Sequence, residues 1–209
     1  VLQAIVLCSK LWCLMGKSAT AVLKRPAAVN KAPVRKSGQK TTSAVFVLAP
    51  GASNRTSDLV KQRLQAHGDV HAFVYPGAGT PNLMGRRQEC LAAHAKAVTQ
   101  AAKKWPGRPI WLAGVSFGAR CAAELLATPA SLPPKGIAGL VAFGFPLVAV
   151  GDQNQPDVKK RKQDRTTALK AVPKGKNVLL LSSKGDPFLG GDDGRLISQV
   201  ARQMAAKCT

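Results

Sequence analysis

Gly114-Val115-Ser116-Phe117-Gly118 is the stretch of this chain whose residue types and spacing add up to chemistry. A serine with glycine two before and two after it can occupy a corner too sharp for bulky neighbours, leaving its hydroxyl exposed to attack a carbonyl. The context fits. An apolar run (Ile110, Trp111, Leu112, Ala113) leads in, and a helix-forming stretch through Ala119, Arg120, Ala122, Ala123, Glu124, Leu125 and Leu126 leads out. Strand, G-x-S-x-G, helix is the order in which the motif marks a nucleophile elbow, with Ser116 the nucleophile and Gly114 and Gly118 the residues that make the turn passable. The chemistry expected is acyl transfer, with Ser116 attacking the carbonyl of an ester, thioester or small lactone.

Such a serine needs donors for the developing oxyanion, an acid and a general base. Pro50-Gly51-Ala52-Ser53 is a small-residue turn behind the apolar run 44–49, and the N–H of Ala52 is expected to act with that of Phe117, the residue after the nucleophile. For the acid, Asp186 follows the apolar run 178–181 within Ser182-Ser183-Lys184-Gly185-Asp186-Pro187-Phe188; Asp192 and Asp193 are nearby alternatives and Asp152 a distant one. The base is the difficulty. The histidines are His67, His71 and His94, all before Ser116, and each reads as a structural or surface residue. The order serine, aspartate, histidine expects the base after the acid, so residues 1–209 are expected to lack the last strand and its histidine loop. Loss of the base lowers turnover by about a million-fold, so this chain as it stands is expected to hydrolyse nothing efficiently.

The elements that would position these groups alternate along the chain. Apolar runs at 44–49, 70–75, 110–115, 137–143 and 178–181 read as buried strands. Helical stretches are expected at about 57–67, 82–104, 119–126 and 195–206, with a short one at 165–171. Continuous apolar strands alternating with helices predict an α/β domain, a mostly parallel sheet with helices on both faces. Functional groups of such a sheet gather at the carboxyl ends of its strands, where Ala52, Ser116 and Asp186 all fall.

The chain is long enough for one domain with a sizeable core, at 209 residues of which 45% are hydrophobic and 20% charged. The folded domain is expected to span 44–209, with 147–172 a basic insertion or cap segment. Residues 1–43 carry eight Lys or Arg and no acid, and are expected to be a disordered basic tail, a targeting peptide or a leader. With a net charge of +21, an acidic partner or nucleic acid is expected at the basic segments, the second of them at 159–162 and beyond. Apart from Trp12, neither segment interleaves aromatic residues, which argues against a single-strand stacking platform. The apolar start, 1–16, is too short and too broken by Lys10 for a transmembrane helix. Cys8, Cys13, Cys90, Cys121 and Cys208 form no C-x-x-C pair and no zinc spacing, and no metal or cofactor is expected; Cys90 and Cys121, in apolar helical contexts, read as buried thiols of a reducing compartment, cytoplasm or nucleus.

VFVLAPGAS, PNLMGRR, PIWLAGVSFGAR, GLVAFGFPL and LLLSSKGDPF together resemble the KANL3/Tex-type α/β-hydrolase-like family, which is akin to dienelactone hydrolases. The resemblance spans about residues 44–206. It implies an α/β-hydrolase fold, with Ser116 in the place of the nucleophile, Asp186 in that of the acid and the Ala52 turn in that of the oxyanion loop. It also implies that Arg120, in G-x-S-x-G-x-R, is a structural ion-pair partner. Ser182-Ser183 and the lysine-rich 157–165 depart from the family pattern. The leading reading is a serine hydrolase acting on a small acyl substrate. The alternative is a noncatalytic binding or scaffold protein that keeps the fold and associates with chromatin through its basic segments.

Overall fold

The computed structural model describes residues 2–7, 43–54, 57–77, 83, 85–128, 132, 136–149, 165–183, 186–189 and 200. Its sheet contains β1 (Leu2–Leu7), β2 (Ala44–Ala49), β3 (Gly68–Ala72), β4 (Ile110–Val115), β5 (Ile137–Phe143) and β6 (Asn177–Ser183). The order is β1-β6-β5-β4-β2-β3, and every pairing is parallel except β1 with β6. Helices α1 (Asp58–Gln65), α2 (Arg87–Lys104), α3 (Phe117–Ala127) and α4 (Thr167–Lys170) flank it, giving the mostly parallel, helix-covered sheet of the α/β-hydrolase fold. Among the described residues no helix is long and apolar enough to cross a membrane.

The central strands β2, β4 and β5 are apolar throughout because both faces are covered. Val45, Val47, Ile110, Leu112, Leu140, Ala142, Val178 and Leu180 point to one side. There they pack with Ala97, Val98 and Ala101 of α2, Ala119, Ala122 and Leu126 of α3, and Leu169 of α4. Their alternates Phe46, Leu48, Ala113 and Val141 point to the other, against Leu64 and Val60 of α1.

The strand order also explains where a site can form. From β2 the chain steps outward to β3, then returns to β4 on the opposite side and continues through β5 to β6. The carboxyl ends of β2 and β4 therefore flank the point where the direction of winding reverses, the crevice in which open parallel sheets place ligands. Ala52 follows β2 and Ser116 follows β4.

Strands expected at 44–49, 110–115 and 137–143 form with those bounds, and 178–181 lengthens to Asn177–Ser183. The strand expected at 70–75 runs instead over Gly68–Ala72. Tyr75 cannot extend it, because the Asn54 side chain occupies both its backbone N–H and its C=O. The helix expected from 82 begins at Arg87, and that expected at 165–171 is the single turn α4. Of the helix expected at 195–206 only Val200 is described, helical and buried. Residues 2–7, for which the sequence suggested no strand, lie antiparallel along β6, from Leu2 opposite Ser183 to Leu7 opposite Val178.

Candidate functional site

At the end of β4 the backbone turns through Ser116 directly into α3. Ser116 adopts φ 51°, ψ −110°, a region that side-chain-bearing residues avoid; among the described non-glycine residues only Asn54 shares its positive φ. Ser116 itself is half-buried. Contacts on either side force the corner. A Cβ on Gly114 would lie 2.4 Å from the carbonyl carbon of Gly118 and 2.5 Å from the nitrogen of Ala119. A Cβ on Gly118 would lie 2.2 Å from the carbonyl oxygen of Pro50 and 2.8 Å from that of Ala49. Only glycine lets the first turn of α3 fold back on its own strand and press against the exit of β2.

The corner is tied sideways as well. The N–H of Ser116 donates to the carbonyl of Phe143 at the end of β5 (2.8 Å), while the carbonyl of Ser116 accepts from the N–H groups of Ala119 (3.1 Å) and Arg120 (3.2 Å). The N–H of Phe117 heads α3 ahead of the first donors that the Ser116 carbonyl accepts, at the positive end of the helix dipole. No acidic residue stands in that turn.

Behind β2, Gly51 to Asn54 closes a tight turn through the Asn54 N–H, which donates to the Gly51 carbonyl (2.9 Å). Ala52 and Ser53 form its exposed tip. The turn lies against the end of β4, a Cβ on Gly51 coming within 3.7 Å of the Val115 carbonyl oxygen. Thus Ala52 and Phe117 stand on two segments in mutual contact.

Asp186 lies beyond β6. One carboxylate oxygen accepts from the N–H of Phe188 (3.0 Å), and the other lies 3.7 Å from where a Cβ on Gly144 would be. Gly144 immediately follows Phe143, the residue whose carbonyl holds Ser116, and its own N–H donates to Leu181 (2.7 Å). Ser116 and Asp186 therefore sit on opposite sides of one two-residue segment at the exit of β5. The acid-bearing loop is fixed further by the N–H groups of Leu147 and Val148, which donate to the Phe188 carbonyl at 2.9 and 3.2 Å. Asp152, Asp192, Asp193 and the basic run 159–162 lie outside the described residues.

The histidines stand apart from this arrangement. His67 is exposed at the end of α1. His71 lies in β3 edge-on to Trp105, with ring centroids 6.1 Å apart. His94 is wholly buried in α2 beside Phe73 (5.0 Å between centroids), and neither ring nitrogen finds a hydrogen-bond partner. Burial pushes its pKa down to about 3, so it is a neutral core residue. Arg120 corrects an expectation: among the described residues it makes no ion pair, because Glu124, one turn on, is taken by Arg87 of α2. Burial holds its guanidinium below the ordinary value.

Two residues escaped the sequence reading. Asn54 is buried at positive φ, and its side-chain amide spans Tyr75, accepting from the Tyr75 N–H (2.8 Å) and donating to the Tyr75 carbonyl (2.9 Å). Tyr75, 1% exposed, packs edge-on against Phe117 at 5.9 Å in a small core with Ala49, Leu83, Cys90 and Cys121. Burial raises its phenol far above the ordinary range and pushes the Cys121 thiol up to about 12, which makes both inert at neutral pH. Among the described residues no group of His, Cys, Asp and Glu could hold a metal ion.

Residues 42–202 match the family model described as an alpha/beta hydrolase domain. No curated protein matches the chain. Solved structures similar to it include a cutinase-like protein from Cryptococcus sp., at 15% identity over 79% of this chain and 95% of that one (TM-score 0.44). An acetylxylan esterase is 15% identical over 80% and 99% (TM-score 0.42). An alpha-beta serine hydrolase homologue from Coxiella burnetii is 16% identical over 84% and 89% (TM-score 0.42).

Proposed function

This chain belongs to the alpha/beta hydrolase domain family, and we propose that within it the protein is a serine hydrolase of small acyl substrates, esters, thioesters or lactones, with Ser116 the nucleophile. One observation carries the reading: Ser116 holds φ 51° at the junction of β4 and α3, a conformation retained only because Gly114 and Gly118 admit no side chain. Strain of this kind is expected where a side chain must be presented, and a serine that merely ended a strand would need none of it.

In the proposed reaction the Ser116 oxygen adds to the substrate carbonyl as its proton passes to a base. The oxyanion so formed is held by the N–H groups of Ala52 and Phe117, and collapse expels the alcohol, thiol or ring oxygen to leave an acyl-serine that water hydrolyses. Asp186 orients the base, a histidine in the usual form of this chemistry. His67, His71 and His94 do not supply it in this reading, standing just beyond α1, in β3 and on the buried side of α2. We place the protein in the KANL3/Tex-type, dienelactone-hydrolase-related branch on the motifs that surround Ser116 and Asp186.

A fluorophosphonate probe read by peptide mass tests the proposal. In the protein with its general base present, we expect covalent labelling at Ser116 that is lost in Ser116→Ala. Labelling at other residues only, or none at all, would overturn it.

A further inference from the structure

The turn proposed to present the Ala52 N–H is held by something outside itself. Its tip is exposed, and a four-residue turn closed by one backbone hydrogen bond does not fix a donor to the few tenths of an ångström that oxyanion binding demands. What fixes it is Asn54. This residue terminates the turn, is 8% exposed, and takes φ 55°, a conformation asparagine tolerates better than most side chains. Its amide presents one acceptor and one donor in a plane, and both engage the backbone of Tyr75, 21 residues away. Tyr75 in turn packs its ring against Phe117, whose N–H is the second proposed donor. The Ala52 turn and the head of α3 are thereby joined twice, directly where Gly118 meets Pro50 and indirectly through Asn54 and Tyr75.

We propose that Asn54 is the positioning residue of the oxyanion turn, setting the Ala52 N–H relative to the Phe117 N–H while touching no reacting atom. The inference rests on the serine-hydrolase reading. The residue type is dictated closely. Glycine would accept the φ and lose both bonds, aspartate would keep the acceptor and lose the donor, and glutamine would carry the amide one carbon too far.

The test uses the protein with its general base present and measures phosphonylation of Ser116 by the fluorophosphonate, with inactivation rate (kinact) and probe affinity (KI) determined separately and melting followed alongside. Asn54→Gly is expected to lower kinact about 100-fold, the effect of losing one oxyanion donor, with KI unchanged. Asn54→Asp is expected to fall between it and the wild type. A merely structural role would lower the melting temperature and leave kinact where it was, and that result overturns the inference alone. Absence of labelling in the wild-type chain overturns the serine-hydrolase reading and this inference with it. Should Asn54→Gly fail to fold, a wild-type kinact in Asn54→Asp overturns the inference and a reduced one supports it.

Discussion

Gly118 and Pro50 meet with no space between them: a Cβ on Gly118 would lie 2.2 Å from the Pro50 carbonyl oxygen. The obstacle is backbone on both sides, so neither can yield as a side chain would. Gly118→Ala is therefore expected to destabilise the domain by about 3 kcal/mol or more, at the upper end of what overpacking does. Urea midpoints at neutral pH check this, and Gly114→Ala should behave alike.

The conformation of Ser116 predicts the opposite sign for a substitution at the corner itself. Glycine accepts φ 51°, ψ −110° without strain, so Ser116→Gly is expected to stabilise the chain by about 1 kcal/mol. The same variant should lose all fluorophosphonate labelling. Ser116→Ala should lose the labelling without the gain.

Arg108 makes a second, structural cluster at the amino ends of the strands. It donates to the Ser43 carbonyl (2.7 Å), the Ser43 hydroxyl (2.6 Å) and the Ala44 carbonyl (3.1 Å), and pairs with Asp69 (2.6 Å). Arg108→Ala is expected to lower stability by about 2 kcal/mol, since hydrogen bonds from a charged donor are lost together. Asp69, half-exposed, contributes little, and Asp69→Asn should change the unfolding free energy in urea by under about 0.5 kcal/mol.

His94 sets a pH dependence. Its pKa is pushed down to about 3 in the fold from an ordinary 6.5, so between those values the unfolded chain holds one more proton than the native one. Stability falls as the pH drops from about 6.5 towards 3, by an amount on the order of a few kcal/mol. His94→Leu removes the titration and two unpaired ring nitrogens. Urea midpoints between pH 4 and 7 should be flatter in the variant than in the wild type.

Cys90 and Cys121 should be silent thiols. Burial raises both above the ordinary value, Cys121 to about 12. Iodoacetamide at pH 8, mapped by peptide mass, should leave these two unmodified in the native chain and modify both in urea.

The sheet was legible in the sequence wherever strands are buried on both faces. AVFVLA, IWLAGV and IAGLVAF announce themselves as unbroken apolar runs with Gly or Pro beyond them, and their observed bounds are those expected. The glycine spacing around Ser116 was equally readable, because the steric demand is local. Three features were not. Asn54 works on a residue 21 positions away, and nothing near it in sequence marks the partner. The end of β3 moved because Tyr75 gives its backbone groups to that side chain and leaves the ladder. Leu2–Leu7 is a strand by virtue of β6 beside it, and its partners lie 171 positions away at the near end (Leu7 opposite Val178) and 181 at the far end (Leu2 opposite Ser183).

The exit of β5 has one further property. The Val148 carbonyl accepts from an Arg165 guanidinium nitrogen (3.1 Å), and the Val148 N–H is already held by Phe188. Val148 is thus a node, its N–H tied to the loop that carries Asp186 and its carbonyl to a residue 17 positions further along, so that one backbone unit couples two segments distant in sequence.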